Sequence, residues 1–273
     1  MHNSRGFTLV ELIVVVVLLG IIGTFSFGYI GFGAQIFSDT AAREQLVSQS
    51  RLPVNRLQRE LRNAVPRSIR VNPADSQRCI EFMPITTSST YLQLPRPGGL
   101  GSDDFVAINP YSATDISGQF VFVYATNALH IYGNNALRRK VIGSINVDEP
   151  ANGLVSMTFS SEPAFFPTDS PARRFYVSSG PVSWCYVNNQ LVRFEGYPIS
   201  QQQPTVGSLS NTSGEVMAIN LYNDLADETQ YPFRVYEATL QRSSLIQIDW
   251  RFQRDQVNEP LHMLHEVHIP NVP

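Results

Sequence analysis

Between Glu11 and Asp39 the chain carries no charged residue. The run from Leu12 to Ser38 exceeds the roughly 20 apolar residues that cross a bilayer as a helix. Arg5 stands before it, and Asp39, Arg43 and Glu44 stand after it. Positive charge at the front predicts a cytoplasmic N-terminus, with the bulk of the chain on the far side. The remaining sequence is less apolar and long enough to bury a core of its own. The formal net charge of −3 over 273 residues argues against nucleic acid as the main partner, because tight binding needs a clustered basic surface.

The start of the run narrows its purpose. A secretory signal peptide has an apolar core of about 7–15 residues, uncharged inside, with a small-residue cleavage site behind it. This run is longer, and Glu11 sits in its leading edge. A plain membrane anchor explains the length but not Glu11. An ionised carboxylate in hydrocarbon costs at least about 2.5–3.5 kcal/mol and calls for a partner. Cleavage between Gly6 and Phe7 would supply one, since it creates an α-amino group at Phe7. Glu11 then lies four residues on, one helical turn away. It could pair with its own Phe7 amine or with that of a neighbouring subunit, which would select one axial register in an assembly.

Gly6-Phe7-Thr8-Leu9-Val10-Glu11 resembles the prepilin-peptidase motif of type IV pilins and type II secretion pseudopilins, and the match runs from Arg5 to about Ile22. The resemblance implies removal of the leader after Gly6, N-methylation of Phe7 and a role for Glu11 in aligning subunits. It implies as partners a prepilin peptidase, other major and minor pilins met through their N-terminal helices, an inner-membrane assembly platform and membrane lipid. The expected location is the bacterial inner membrane, single-pass with a periplasmic domain, and then the pilus or pseudopilus.

Helical patterning continues past Ser38. Leu46, Val54, Leu57, Leu61 and Val65 recur at spacings near three and four, while Arg56, Arg59, Glu60, Arg62 and Asn63 are placed on the opposite face. Pro66 is a stop signal. A helix from Phe7 to Val65 would be about 90 Å long, and pilin-like proteins are similar, with half of the helix protruding and half packed under a sheet. Gly20, Gly23, Gly28, Gly31 and Gly33 each weaken it by roughly 1 kcal/mol relative to Ala, and Pro53 should kink it. The glycines suit either a helix that bends on leaving the bilayer or close helix–helix packing. The excess of arginines from Arg43 to Arg70 suits a solvated face, or contact with anionic lipid or an acidic partner.

After Pro66, short alternating runs separated by Gly, Pro, Asn and Ser predict strands at Cys79–Pro84, Phe105–Asn109, Phe120–Ala125, Leu129–Tyr132, Leu154–Phe159, Phe175–Ser179, Val182–Val187, Leu191–Phe194, Val216–Leu221, Arg234–Leu240, Leu245–Arg251 and His262–Ile269. Ser179-Gly180-Pro181 and Asn188-Asn189 read as hairpin connections. The fold class is α+β: a long N-terminal helix on a mostly antiparallel sheet. The domains read as a leader over 1–6, a transmembrane or fibre-core helix over 7–38, its amphipathic continuation over 39–66 and a β-rich globular domain over 67–273.

Cys79 and Cys185 are the only cysteines. If the domain is exported, a disulfide between them is the natural reading; two unpaired buried thiols are the alternative. The bridge would close a loop of roughly a hundred residues, for which the chain-entropy model gives about 4–5 kcal/mol. No phosphate-binding loop, nucleophile elbow or zinc-protease motif occurs, so neither an enzyme nor a cofactor is expected. His262, His265 and His268 do not share one side of a strand, and no metal site is expected there. Asp103-Asp104 and the Asp224, Asp227, Glu228 group read as solvated loops rather than a calcium site.

In the C-terminal half, Arg174-Phe175-Tyr176-Val177, Gly180-Pro181-Val182-Ser183-Trp184-Cys185, Leu191-Val192-Arg193-Phe194 and the ending from His265 to Pro273 resemble minor pilin-like subunits of the mannose-sensitive haemagglutinin pilus. The chain is also similar to minor pseudopilins of type II secretion. These resemblances imply a low-abundance subunit that primes or caps a fibre. A tip-displayed binding module, for adhesion or DNA uptake, is the alternative from another class.

Overall fold

The computed structural model describes residues 8–99, 104–110, 115–134, 137–148, 153–160, 164–236, 244–253 and 260–269. Helix α1 (Leu9–Arg62) opens the chain with 54 residues, about 81 Å at 1.5 Å per residue. It is followed by β1 (Arg70–Val71), β2 (Cys79–Phe82), β3 (Thr87–Gln93), β4 (Phe105–Ile108), β5 (Phe120–Val123), the single helical turn α2 (Leu129–Tyr132), β6 (Arg139–Asp148), β7 (Leu154–Phe159) and β8 (Arg174–Ser178). Then come β9 (Val182–Val187), β10 (Gln190–Glu195), β11 (Gly214–Ala218), β12 (Phe233–Tyr236), β13 (Ser244–Phe252) and β14 (Leu261–Ile269). The architecture is α+β, a long apolar helix with antiparallel sheets.

Three β units are built from these strands: a five-stranded sheet ordered β1-β2-β9-β10-β11, a three-stranded sheet ordered β12-β13-β14, and a closed barrel ordered β3-β4-β7-β6-β5-β8. The C-terminal half of α1 packs on both sheets. Leu46, Val54, Leu57 and Leu61 share one apolar core with Phe82, Trp184, Leu191, Phe233, Ile248 and Trp250. Each such side chain contributes about 1.5–3 kcal/mol when fully buried, so this seam fixes the helix to the sheets. The helix continues on both sides of Pro53, which is itself buried against the sheets.

The barrel is an insertion. Strands β2 and β9 pair directly, from Cys79↔Cys185 to Phe82↔Val182, and all six barrel strands lie between them in sequence. Its inside is filled rather than hollow, with Phe105, Val121, Val123, Met157, Phe175 and Val177 in one cluster. Phe105 meets Phe159 and Phe175 edge-on, at centroid distances of 5.5 and 5.4 Å. Alternation along β5 turns Phe122 outward, where it joins Ile131, Tyr132, Val65 and Met83 in the seam between barrel and helix end.

The strand expectations hold for most of the chain and fail in identifiable places. Leu129–Tyr132 is a helical turn, not a strand: Asn127 Oδ1 accepts from the His130 N–H at 3.0 Å and starts a turn too short for its periodicity to reveal. Ser179-Gly180-Pro181 is no hairpin, because β8 belongs to the barrel and β9 to the five-stranded sheet. Asn188-Asn189 is one: both residues have positive φ, +48° and +62°, and they join the paired ends Val187 and Gln190, as a type I′ turn requires. Strands β3 and β6 were not foreseen. The predicted Val216–Leu221 is a strand at Gly214–Ala218, and of Arg234–Leu240 the last four residues lie outside the described residues.

Candidate functional site

From Leu9 to Phe37 the helix has no partner among the described residues. Phe25, Tyr29 and Phe37 are 76, 80 and 76% exposed, and the first buried side chain is that of Leu46. Leaving so large a continuous apolar surface in water is unfavourable, so it marks a contact with lipid or with other chains. By length and composition this helix can cross a membrane. A Cβ placed on Gly20, Gly23, Gly28, Gly31 or Gly33 meets nothing within 4 Å, so no packing inside this chain demands these glycines.

Thr8 caps the helix: its Oγ1 accepts the Glu11 backbone N–H at 3.3 Å. Thr8-Leu9-Val10-Glu11 thus has the capping-box spacing, with Glu11 in the first turn where the helix dipole favours an acid. Glu11 is exposed. Gly6 and Phe7 lie outside the described residues.

The docked half of the helix carries an ion network that the sequence pattern assigns to the wrong face. Glu60 is turned to the interior strands β9 and β10 of the five-stranded sheet, not to solvent. Its Oε2 accepts from Trp184 Nε1 at 2.9 Å, and its Oε1 accepts from Arg193 Nε at 3.2 Å and from Arg56 Nε at 3.1 Å. Arg56 also reaches Glu215 of β11 at 3.1 Å. Long side chains at the border of a helical stripe can turn either way, so periodicity alone does not place them.

A second network crosses the five-stranded sheet. Glu81 is fully buried, and its carboxylate accepts from Arg70 Nε at 2.5 Å and from the Tyr197 hydroxyl at 3.1 Å. Because Tyr197 spends its one proton there, it accepts from Ser183 Oγ, 2.6 Å away. The rest of the Arg70 guanidinium donates to the carbonyls of Ser200 and Gln201, and it lies 3.5 Å from the centre of the Tyr132 ring. Burial pushes the Glu81 carboxyl above its usual value, although Arg70 and Tyr197 pull it down. Burial and the nearby Glu81 charge push the Tyr197 hydroxyl up in turn. No spacing motif connects these residues: strand register brings Arg70 and Ser183 to Glu81, and the segment after β10 brings Tyr197.

Cys79 and Cys185 face each other across β2 and β9 and are joined by a disulfide that spans 106 positions, with no free cysteine in the chain. The bond staples the two strands that flank the barrel, at the end of their ladder away from it. His262 Nε2 lies 3.0 Å from Oδ1 of the buried Asp249, while His265 and His268 join no such pair among the described residues. Asp224 and Asp227 cap their own turns by accepting from the N–H groups of Ala226 and Thr229. Among the described residues no three His, Cys, Asp or Glu side chains converge to hold a metal.

Residues 1–27 match the family described as the prokaryotic N-terminal methylation motif. No curated protein and no solved structure matches the chain. The motif indicates a precursor of the type IV pilin and pseudopilin kind, and the helix that it opens fits membrane anchoring.

Proposed function

We propose that this chain is a minor pilin-like subunit, similar to component O of the mannose-sensitive haemagglutinin pilus, that primes or caps assembly of a type IV pilus. A prepilin peptidase cuts between Gly6 and Phe7 and the new amine of Phe7 is methylated. The helix then leaves the inner membrane, guided by the assembly platform, and packs among the helices of other pilins with the globular domain on the periplasmic side. The observation that carries this reading is the division of one helix. Its first part is apolar and unpartnered behind a methylation motif, and its second part is bolted to the sheets. A head-to-tail contact of that kind does not close on itself and so builds a filament. The inserted barrel favours a second reading, a binding module displayed at the tip of the fibre, because the helix does not need it to dock. Service in a type II secretion pseudopilus uses the same assembly chemistry.

The intact mass of the chain isolated from fibres tests the proposal. The expected mass starts at Phe7 and carries one extra methyl group. A fibre-borne chain that retains residues 1–6, or fibres that never contain the chain, would overturn it. A deletion strain separates the two roles: missing fibres mean priming, and normal fibres with lost adhesion or DNA uptake mean a tip receptor.

A further inference from the structure

The chain leaves α1 through a tight turn, Val65-Pro66-Arg67-Ser68, closed by the Ser68 N–H on the Val65 carbonyl at 3.0 Å. Proline at the second position and φ of +67° at Arg67 make it a type II turn, whose third position favours glycine. An arginine here is strained. The surroundings hold it in place: the Val65 N–H donates to the Met83 carbonyl at 2.7 Å, the Met83 N–H to Ser68 Oγ at 3.1 Å and the Tyr132 hydroxyl to the Ser68 carbonyl at 2.7 Å. Strain kept by an over-determined frame points to a use for the side chain.

That side chain lines a cleft of about 390 Å³ between β1 and β12, within the size range of ligand sites. The cleft has two arginines. Arg70 is committed to Glu81 and to two carbonyls. Arg67 is not: its Nε is buried with no hydrogen-bond partner, and it forms no ion pair with the described residues. Such an orphan donor calls for an explanation. Ile69, Val71, Ile246, Ile269 and Ser244 also line the cleft. β1 and β12 are the outer strands of their sheets, and they lie beside one another at the cleft without pairing. A cleft of this volume fits about two or three residues of a peptide, and a small acid would leave most of it empty.

We infer that this cleft binds an acidic peptide segment of a neighbouring polypeptide. Arg67 takes a carboxylate, and an adjacent aliphatic side chain sits on the isoleucines. A guanidinium suits this task because it stays charged and grips both carboxylate oxygens.

The test uses the detergent-solubilised full chain and three probes in calorimetric titration: N-acetyl-Val-Glu-Val-amide, its Gln counterpart and isovalerate. The Glu peptide is expected to bind at least tenfold more tightly than the other two. Arg67→Gly should lower its affinity at least tenfold while leaving the melting temperature unchanged or raised, since glycine relieves the strained position. Arg67→Asn, which keeps a residue tolerant of this backbone, should lose the same affinity. Equal binding of the Glu and Gln peptides, isovalerate binding as tightly as the peptide, no binding at millimolar peptide, or undiminished affinity in both variants would each overturn the assignment. A melting temperature lowered in both variants would overturn it too, because that result makes Arg67 a structural residue.

Discussion

Glu60 and Trp184 stand 124 positions apart in the sequence and meet at 2.9 Å, the indole N–H of the sheet donating to the carboxylate of the helix. The same carboxylate holds Arg193, whose side chain is 11% exposed. This one acid therefore ties the docked part of α1 to β9 and β10. Removing it leaves the buried Trp184 N–H without a partner and the nearly buried Arg193 with only the exposed Glu195, which is where large mutational effects arise. Glu60→Ala is expected to lose about 2–4 kcal/mol of stability, measured by urea unfolding of the full chain in detergent. A loss below about 0.5 kcal/mol, the scale of an exposed pair, would mean that the contact is no more than a surface bridge.

The disulfide predicts a redox dependence. Cys79 and Cys185 are 2% and 0% exposed, and they join the two strands that flank the inserted barrel. Replacing both with serine should cost about 2–5 kcal/mol. The melting temperature should also fall on adding reductant to the parent chain but not to the double variant. Identical melting curves with and without reductant, in a parent chain shown by thiol titration to be reduced, would refute this.

Glu81 predicts a pH dependence of unusual sign. Burial, opposed by Arg70, raises its carboxyl above the ordinary value in the folded chain. The folded state then keeps the proton to higher pH than the unfolded state does. By linkage, stability contributed at this site is present below the unfolded value and declines as pH rises through the folded one. Glu81→Gln removes that proton exchange. The advantage of the parent over Glu81→Gln should therefore be larger at pH 4 than at pH 7. Urea titrations at the two pH values check this, and an advantage that grows with pH contradicts it.

Glu11 predicts an assembly phenotype without a folding phenotype. Its backbone N–H is what the Thr8 cap uses, so the carboxylate remains available to other groups. Glu11→Ala should leave membrane insertion and leader removal intact and reduce incorporation into fibres several-fold, scored by immunoblot of sheared fibres against whole cells. Incorporation at the parent level would sink the register argument. A second variant, Thr8→Val, should cost about 1 kcal/mol in the first turn through loss of the cap.

What could be read from the sequence was local. The uncharged run, the spacing of Leu46, Leu57 and Leu61 and the Asn188-Asn189 turn each carry their geometry within a few residues, and the structure has the corresponding helix, seam and hairpin. The barrel was not legible, since closure joins strands far apart in sequence, such as Thr87 with Val177. Two of its strands also hide their pattern: β3 opens with Thr87, Ser88, Ser89 and Thr90, and β6 with Arg139 and Lys140. The Glu81 network was invisible for the same reason, as was Glu60, which sits at the border of the helical stripe. Arg67 did have a signal, a proline followed by a residue where a type II turn prefers glycine, but only its positive φ in the folded chain gives it meaning.

The neck at Phe82 and Val182 has one more implication. Because the strands leading into and out of the barrel are already neighbours, a two-residue turn could in principle replace everything between them. The frame of helix and sheets and the body that it carries are thus separable parts. Variation can accumulate in the carried body, in surface, size or ligand, without retuning the seam that holds the helix to the sheets.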